Sequence, residues 1–292
     1  MKQLLRLGFT DTMEVVADFF IDVLKEDYNI VRDDQNPDYL IFGDTNFGSN
    51  NLNYTNCFKI FYTGENQRPW DYKCHFAISF DHDDTPNNYR LPLYVVYDYD
   101  NKRRGSPRLE TRNPGKNLYD FLTSDKGFCS FVVKNGGCEI RNRFFHKLCE
   151  YKKVDSAGPL FNNTGITLSH DGHDAIWSKM GFIAKYKFNM CFENASYPGY
   201  ATEKLYEALV GDTVPIYWGS PTIALDFNPK AFLNWHDYQD DDLFIEAIKK
   251  VDSDDKLYSY MLNQPMLADG NKVFDMDRFR RWWSKNVYKG AR

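Results

Sequence analysis

Apolar residues recur along the first fifty positions in two rhythms. Leu4, Leu5, Leu7 and Phe9 form a short run that predicts a strand over Leu4 to Phe9. Met13, Val16, Ala17, Phe20, Ile21 and Leu24 then return at helical spacing and predict a helix. Asp11 with Glu14 reads as a capping pair at the start of that helix. Strands are expected near Tyr28 to Val31 and at Tyr39 to Phe42, and strand-helix-strand order is the signature of a parallel α/β sheet. Between Cys57 and Tyr99 the chain is rich in Phe, Tyr and His, with β-like runs at Phe58 to Tyr62, Phe76 to Phe80 and Leu93 to Val96. The polar stretch from Asp98 to Asn117, carrying Arg103-Arg104-Gly105, reads as a loop or linker.

The second half restarts the same alternation. It predicts a strand at Phe128 to Val133, a helix at Asn142 to Tyr151 packing through Phe144, Phe145 and Leu148, and a strand at Lys187 to Phe192. A helix at Thr202 to Val210, closed by Gly211, and a strand at Thr213 to Trp218 follow. Leu243, Phe244, Ala247, Ile248 and Val251 mark a further helix, with Asp240 to Asp242 at its positive end and Lys249-Lys250 at its negative end. A chain of 292 residues exceeds what one compact core usually serves, so two domains are expected. The fold class is read as α/β, with two Rossmann-like domains facing a cleft. The boundaries are an N-terminal domain at 1–120, a C-terminal domain at 121–273 and a closing helix over 274–292 that crosses back to the first domain.

Composition narrows the function. With 42% apolar and 26% charged residues and no low-complexity tract, the chain is a folded globular protein. Its net charge of −5 argues against a general nucleic-acid binder, so an anionic ligand must be met by local positive charge. The six cysteines are scattered without a Cys-x-x-Cys pair and read as reduced, mostly buried thiols. No apolar run reaches signal or membrane-spanning length. The expectation is a cytoplasmic protein with at most a peripheral contact to the inner membrane. Arg278, Arg280, Arg281, Lys285, Lys289 and Arg292 read as a solvated basic helix.

From Phe192 to Lys204 a strand ends, a Pro198-Gly199 turn follows and a helix begins. That order sets backbone N–H groups and a positive helix end outside the carboxyl edge of a parallel sheet, where anionic ligands bind. Lys204 adds a point charge for a diphosphate, Glu203 can accept from sugar hydroxyls, and Asn194 and Tyr200 can donate to phosphate. The same pattern also fits an ordinary capped helix with a solvated Glu-Lys pair. Arg141 stands at the start of the helix after the Phe128 strand, where a guanidinium could clamp a diphosphate; alone, it reads equally as a surface arginine. Glu65, in the turn Tyr62-Thr63-Gly64-Glu65-Asn66, is the candidate for a general base. Asp81-His82-Asp83, Asp98-Tyr99-Asp100 and His170-Asp171-Gly172-His173 are weak metal motifs, and no metal site is expected.

At Tyr186 to Asn194, Gly199 to Leu205 and Val214 to Pro221 the chain resembles the α1,3/1,4-fucosyltransferases, those of Helicobacter-like bacteria most closely. The turn at Tyr62 to Asn66, with Pro69 and Phe80-Asp81, and the stretch from Ser130 through Arg141-Asn142 extend the likeness across most of the chain. The resemblance implies GDP-fucose as donor and inversion at its anomeric carbon in a single displacement. Glu65 would be the general base. Arg141, Lys204, Tyr200, Asn194 and Thr202 would hold the donor, and Glu203 would bind its sugar and oppose positive charge on the ring. No cofactor is required on this reading, although a divalent cation, Mn or Mg, could stimulate. The acceptor implied is an oligosaccharide containing N-acetylglucosamine of lactosamine type, on Lewis-antigen-like lipopolysaccharide, joined in α1,3 or 1,4 linkage. Tyr62, Trp70, Tyr89 and Tyr94 are aromatic candidates for its binding surface. Ala195 and Ala201 stand where relatives often carry larger or hydroxylated residues. Two other readings remain: a carbohydrate-binding protein without catalysis, drawing on the 17% aromatic content, and a transferase for another nucleotide sugar.

Overall fold

A computed structural model of the chain describes residues 2–82, 85–103, 125–168 and 172–289. The chain resolves into two compact units. One comprises Met1–Ser106, Pro198–Thr202 and Lys272–Arg292, and the other Pro107–Tyr197 and Glu203–Asn271.

The first unit is built on a six-stranded sheet in the order β2-β1-β3-β4-β5-β6, every pairing parallel. Its strands are β1 (Gln3–Thr10), β2 (Tyr28–Arg32), β3 (Tyr39–Phe42), β4 (Phe58–Tyr62), β5 (Phe76–Ser79) and β6 (Asn88–Arg90). β3 and β5 are buried at every position, as interior strands of a parallel sheet covered on both faces must be. Helix α1 (Glu14–Leu24) buries Val16, Ala17, Phe19, Phe20, Val23 and Leu24, the apolar stripe of the sequence. Asp11 does not cap it. The Asp11 backbone is left-handed, with φ 51°, and its carboxylate instead accepts from the backbone N–H groups of Asn50 and Asn51 at 3.1 and 2.8 Å, tying down the loop after β3.

Leu93 to Val96 is not a strand, and Asp98 to Arg103 is not a linker. Together they form helix α2 (Leu93–Arg103), in which Leu93, Tyr94, Val95, Val96, Asp98, Asp100 and Asn101 are all buried. The run is apolar at every position, so neither a two-residue nor a 3.6-residue period could be read from it. Arg103 fastens the far end, 2.7 Å from Asp18 and 3.0 Å from Asp100. Arg104, Gly105 and the rest of the expected linker to Asn117 lie outside the described residues.

The unit is completed by helix α8 (Met276–Trp282), which runs on into a π-helical turn at Trp283–Val287. Phe279 and Trp283, both fully buried, meet Phe20, Tyr89 and Tyr39 with ring centroids 5.9, 5.1 and 6.3 Å apart.

The second unit carries a five-stranded parallel sheet in the order β11-β10-β9-β7-β8. The strands are β7 (Gly127–Phe131), β8 (Val154–Ser156), β9 (Tyr186–Met190), β10 (Val214–Tyr217) and β11 (Leu233–Asn234). Helices α3 (Glu139–Tyr151), α4 (Gly172–Ile183), α5 (Glu203–Val210), α6 (Asp241–Ser253) and α7 (Asp255–Leu262) accompany them. The core joins Phe144, Phe145 and Leu148 of α3, Phe188 and Met190 of β9, Ile216 of β10, and Phe244, Ile248 and Val251 of α6. Asp240 caps α6 by accepting from the N–H groups of Asp242 and Leu243 at 2.8 and 3.0 Å. Among the described residues no helix is long and apolar enough to cross a membrane, and all six cysteines are free thiols.

Candidate active site

In the second unit the site grows from the carboxyl edge of its sheet. Past the end of β9 the chain stays paired: Cys191 N–H donates to Ile216 at 2.9 Å and Glu193 N–H to Trp218 at 2.8 Å. Glu193 is thereby carried into the interior with its side chain fully buried. A Cβ at position 219 would fall 2.6 Å from Glu193 Cγ and 2.5 Å from the Tyr217 hydroxyl, so only glycine admits this packing.

Lys204, in the first turn of α5, answers the buried charge. Its Nζ lies 3.1 Å from Glu193 Oε2 and 3.4 Å from Glu203 Oε1. From α4, Lys179 reaches Glu203 Oε1 at 3.7 Å and also pairs with Glu207. The result is an alternating row, Glu193-Lys204-Glu203-Lys179-Glu207, in which three carboxylates share two ammonium groups. Burial pushes the Glu207 carboxyl up to about 7 despite Lys179. For Lys179 burial works against the charge, but Glu207 and Glu203 outweigh it and its pKa is raised. Burial disfavours the charged form of the carboxyl, while the two carboxylates favour the charged form of the ammonium.

Arg141, the third residue of α3, is buried, so it is not the surface arginine its sequence context allowed. Its guanidinium donates to the carbonyls of Phe192, at 3.4 Å, and Asn135, in the loops that follow β9 and β7. Asn194 is half-buried, two residues beyond Phe192.

In the first unit the turn after β4 is fixed from three sides. Thr63 Oγ1 donates to Asp44 Oδ2 at 2.6 Å and accepts the Glu65 N–H at 2.9 Å. Gly64 lies so close to Leu93 of α2 that a Cβ would fall 2.7 Å from its Cδ2. Glu65 is half-buried, and its Oε2 accepts from the Tyr200 hydroxyl at 3.4 Å.

Tyr200 itself is fully buried, its ring edge-on to Phe80 at 5.2 Å. Pro198–Thr202 packs within this unit because Gly199, at φ 82°, lets the chain lie against the Phe80 carbonyl; an added Cβ would come within 2.4 Å of it. Thr202 is also buried. Arg68 lies over the Phe80 ring, 4.8 Å from its centroid, and forms an ion pair with Asp81 at 3.3 Å.

Tyr200 therefore sits with Glu65, whereas Arg141, Asn194, Glu203 and Lys204 belong to the other unit. Of the aromatic residues read as an acceptor surface, Tyr62, Tyr89 and Tyr94 are core side chains that present no face, and Trp70 is 71% exposed. Burial of Asp98 and Asp100 in α2 removes that Asp-x-Asp motif as a surface metal site, and Asp81 faces Arg68. Asp83, His170 and Asp171 lie outside the described residues, among which no three His, Cys, Asp or Glu side chains form a metal-holding group. In the basic stretch near the C-terminus, Arg280 pairs with Asp27 and Asp277, and Arg281 with Asp275.

Sequence reasoning passed over Lys179, Glu193 and Glu207. Glu193 stood inside the motif without a role, and the four-residue spacing of Glu203 and Glu207 was the one signal that they share a helix face.

Residues 6–97 match the family model described as the Alpha-(1,3)-fucosyltransferase FucT N-terminal domain, and 123–263 the model described as Glycosyltransferase family 10 (fucosyltransferase) C-term. The chain belongs to the family 10 fucosyltransferases.

Alpha-(1,3)-fucosyltransferase FucT of Helicobacter pylori is 35% identical to this chain over 285 residues, 86% of the chain and 57% of that relative. The chain thus spans little more than half the length of this curated relative. A crystal structure of an α1,3-fucosyltransferase with GDP is 28% identical at a TM-score of 0.78, covering 97% of this chain and 90% of the other. One with GDP-fucose is 26% identical at 0.79, covering 100% and 93%. The α/β class with two Rossmann-like units, read from the sequence, holds for the described residues.

Proposed function

We propose that the protein transfers L-fucose from GDP-fucose to a hydroxyl of N-acetylglucosamine in a lactosamine-type glycan, in α1,3 linkage and with inversion. The observation that carries this reading is the full-length likeness to a fucosyltransferase solved with GDP-fucose. The second unit, Pro107–Tyr197 and Glu203–Asn271, where the expected C-terminal domain of 121–273 largely falls, holds the donor, and the first unit holds the acceptor. Lys204 and Arg141 bind the diphosphate, where charge-assisted hydrogen bonds stabilise the negative charge that builds on departing GDP. Asn194 adds a donor beside them. Glu203 binds donor sugar hydroxyls and opposes the positive charge developing on the fucosyl ring.

Glu65 takes the proton of the acceptor hydroxyl as its oxygen bonds to the anomeric carbon and the bond to GDP breaks. The Tyr200 hydroxyl, which donates to Glu65 Oε2, helps to hold that carboxylate in place. Trp70 offers the exposed aromatic face on which an acceptor ring stacks.

The deciding assay combines GDP-fucose with N-acetyllactosamine and follows GDP release and product mass, with and without a chelator. A product gaining one deoxyhexose is expected, and it should persist in chelator. Absence of both product and GDP-fucose binding would overturn the donor assignment.

A further inference from the structure

Among the described residues of the charged row, Lys179 is the cation that the proposed reaction does not use. Lys179 comes from α4, outside the strand-turn-helix that carries Glu203 and Lys204, yet it touches Glu203 on one side and Glu207 on the other. Glu203 and Glu207 are four residues apart on α5 and face the same way, so a single ammonium spans them. The remaining charged groups of the row are Lys204 and Glu193, which pair with each other. Little slack surrounds this arrangement: a cavity of about 10 Å³, lined by Lys179, Lys204, Glu207, Asn189 and Cys191, has room for one water at most.

We infer that Lys179 is a positioning residue for fucosyl transfer: anchored by Glu207, it orients the Glu203 carboxylate for the donor sugar. The inference rests on the role proposed above for Glu203. The physical need for it follows from the row itself. A diphosphate that engages Lys204 draws that ammonium away from Glu203, which then relies on Lys179 alone among the two lysines of the row. Glu207, buried and pinned on α5, prevents Lys179 from following the phosphates. A carboxylate that keeps its direction when the donor arrives is what stabilisation of a positively charged ring requires.

The test separates the sugar from the nucleotide. Lys179→Met, Lys179→Gln and Lys179→Arg are compared with wild type and with Glu203→Gln for GDP affinity, GDP-fucose kcat and KM, and thermal stability. GDP lacks the fucosyl ring, so its affinity should stay within roughly threefold in Lys179→Met, while kcat/KM for GDP-fucose falls roughly 10- to 100-fold, the scale of a lost charged hydrogen bond. Lys179→Arg should recover most of the loss.

The inference is overturned if Lys179→Met keeps wild-type transfer while Glu203→Gln loses it. Equal losses of GDP and GDP-fucose binding that track thermal stability also overturn it, since a merely structural lysine would give that result. If Lys179→Met does not fold, Lys179→Gln, which keeps a polar side chain, carries the same comparison. Wild-type transfer by Glu203→Gln would instead remove the role of Glu203 on which the inference stands.

Discussion

The Glu65 carboxylate is tethered through its backbone, its N–H held by Thr63 and Thr63 held by Asp44. Glu65→Gln therefore keeps the turn and removes only the ability to take a proton. Transfer should fall by roughly 10²- to 10⁴-fold while GDP-fucose affinity is retained, which titration calorimetry alongside turnover will check. Lys204→Ala should instead weaken GDP binding roughly 10- to 100-fold, as expected for a charged hydrogen-bond partner. Unchanged affinity would exclude Lys204 from the diphosphate.

Glu207 makes a prediction in pH. Its carboxyl is raised from the ordinary 4.5 to about 7, so between those values the folded protein holds a proton that the unfolded chain releases. The stability this supplies is complete below about 4.5 and is lost as pH rises through about 7. Relative to wild type, Glu207→Gln should gain thermal stability between about pH 5 and about pH 8. A constant difference across that range would contradict the raised carboxyl. The groups facing it are Lys179, Glu203 and Lys204.

At the level of elements, Gly199 decides whether Pro198–Thr202 can lie against Phe80. An alanine there would adopt a left-handed backbone at a cost of about 1–2 kcal/mol and drive its Cβ into the Phe80 carbonyl. Gly199→Ala should lower stability in denaturant titration by at least that amount, and transfer should fall as Tyr200 is displaced from Glu65.

Elements with one clear period were legible in the sequence. The alternation of α1, the all-apolar Tyr-Leu-Ile-Phe of β3 and the acid-capped start of α6 stand where they were read, to within a few residues. Helix α2 was not legible, because four consecutive apolar residues carry no period and the polar residues after them are buried by tertiary contact. The candidate site divides the same way. Glu203 and Lys204 follow from a strand-turn-helix order, whereas Lys179 enters only through the packing of α4 against α5, which no local pattern encodes.

At the scale of the molecule, the first unit is discontinuous in sequence. Phe279 and Trp283 fill the space over Phe20, Tyr39 and Tyr89, so a fragment ending at Ser106 leaves a large apolar surface open to water. Such a fragment should aggregate, and joining residues 272–292 to it through a flexible linker should restore solubility and cooperative melting. A fragment that is soluble and folded without them would show that α8 is an accessory.

The tethering of the turn after β4 also has a consequence for protein engineering. Asp44, Thr63 and Leu93 hold the backbone at Glu65 from beneath, whereas Trp70, Asp71 and Lys73 follow on the same connection with their side chains in solvent. Arg68 and Tyr72 fasten the same loop, Arg68 to Asp81 and Tyr72 to Phe61, with the Tyr72 and Phe61 rings stacked 4.1 Å apart. A combinatorial library confined to positions 70, 71 and 73 would thus diversify the exposed rim of the loop while leaving Glu65 and its supports as they are.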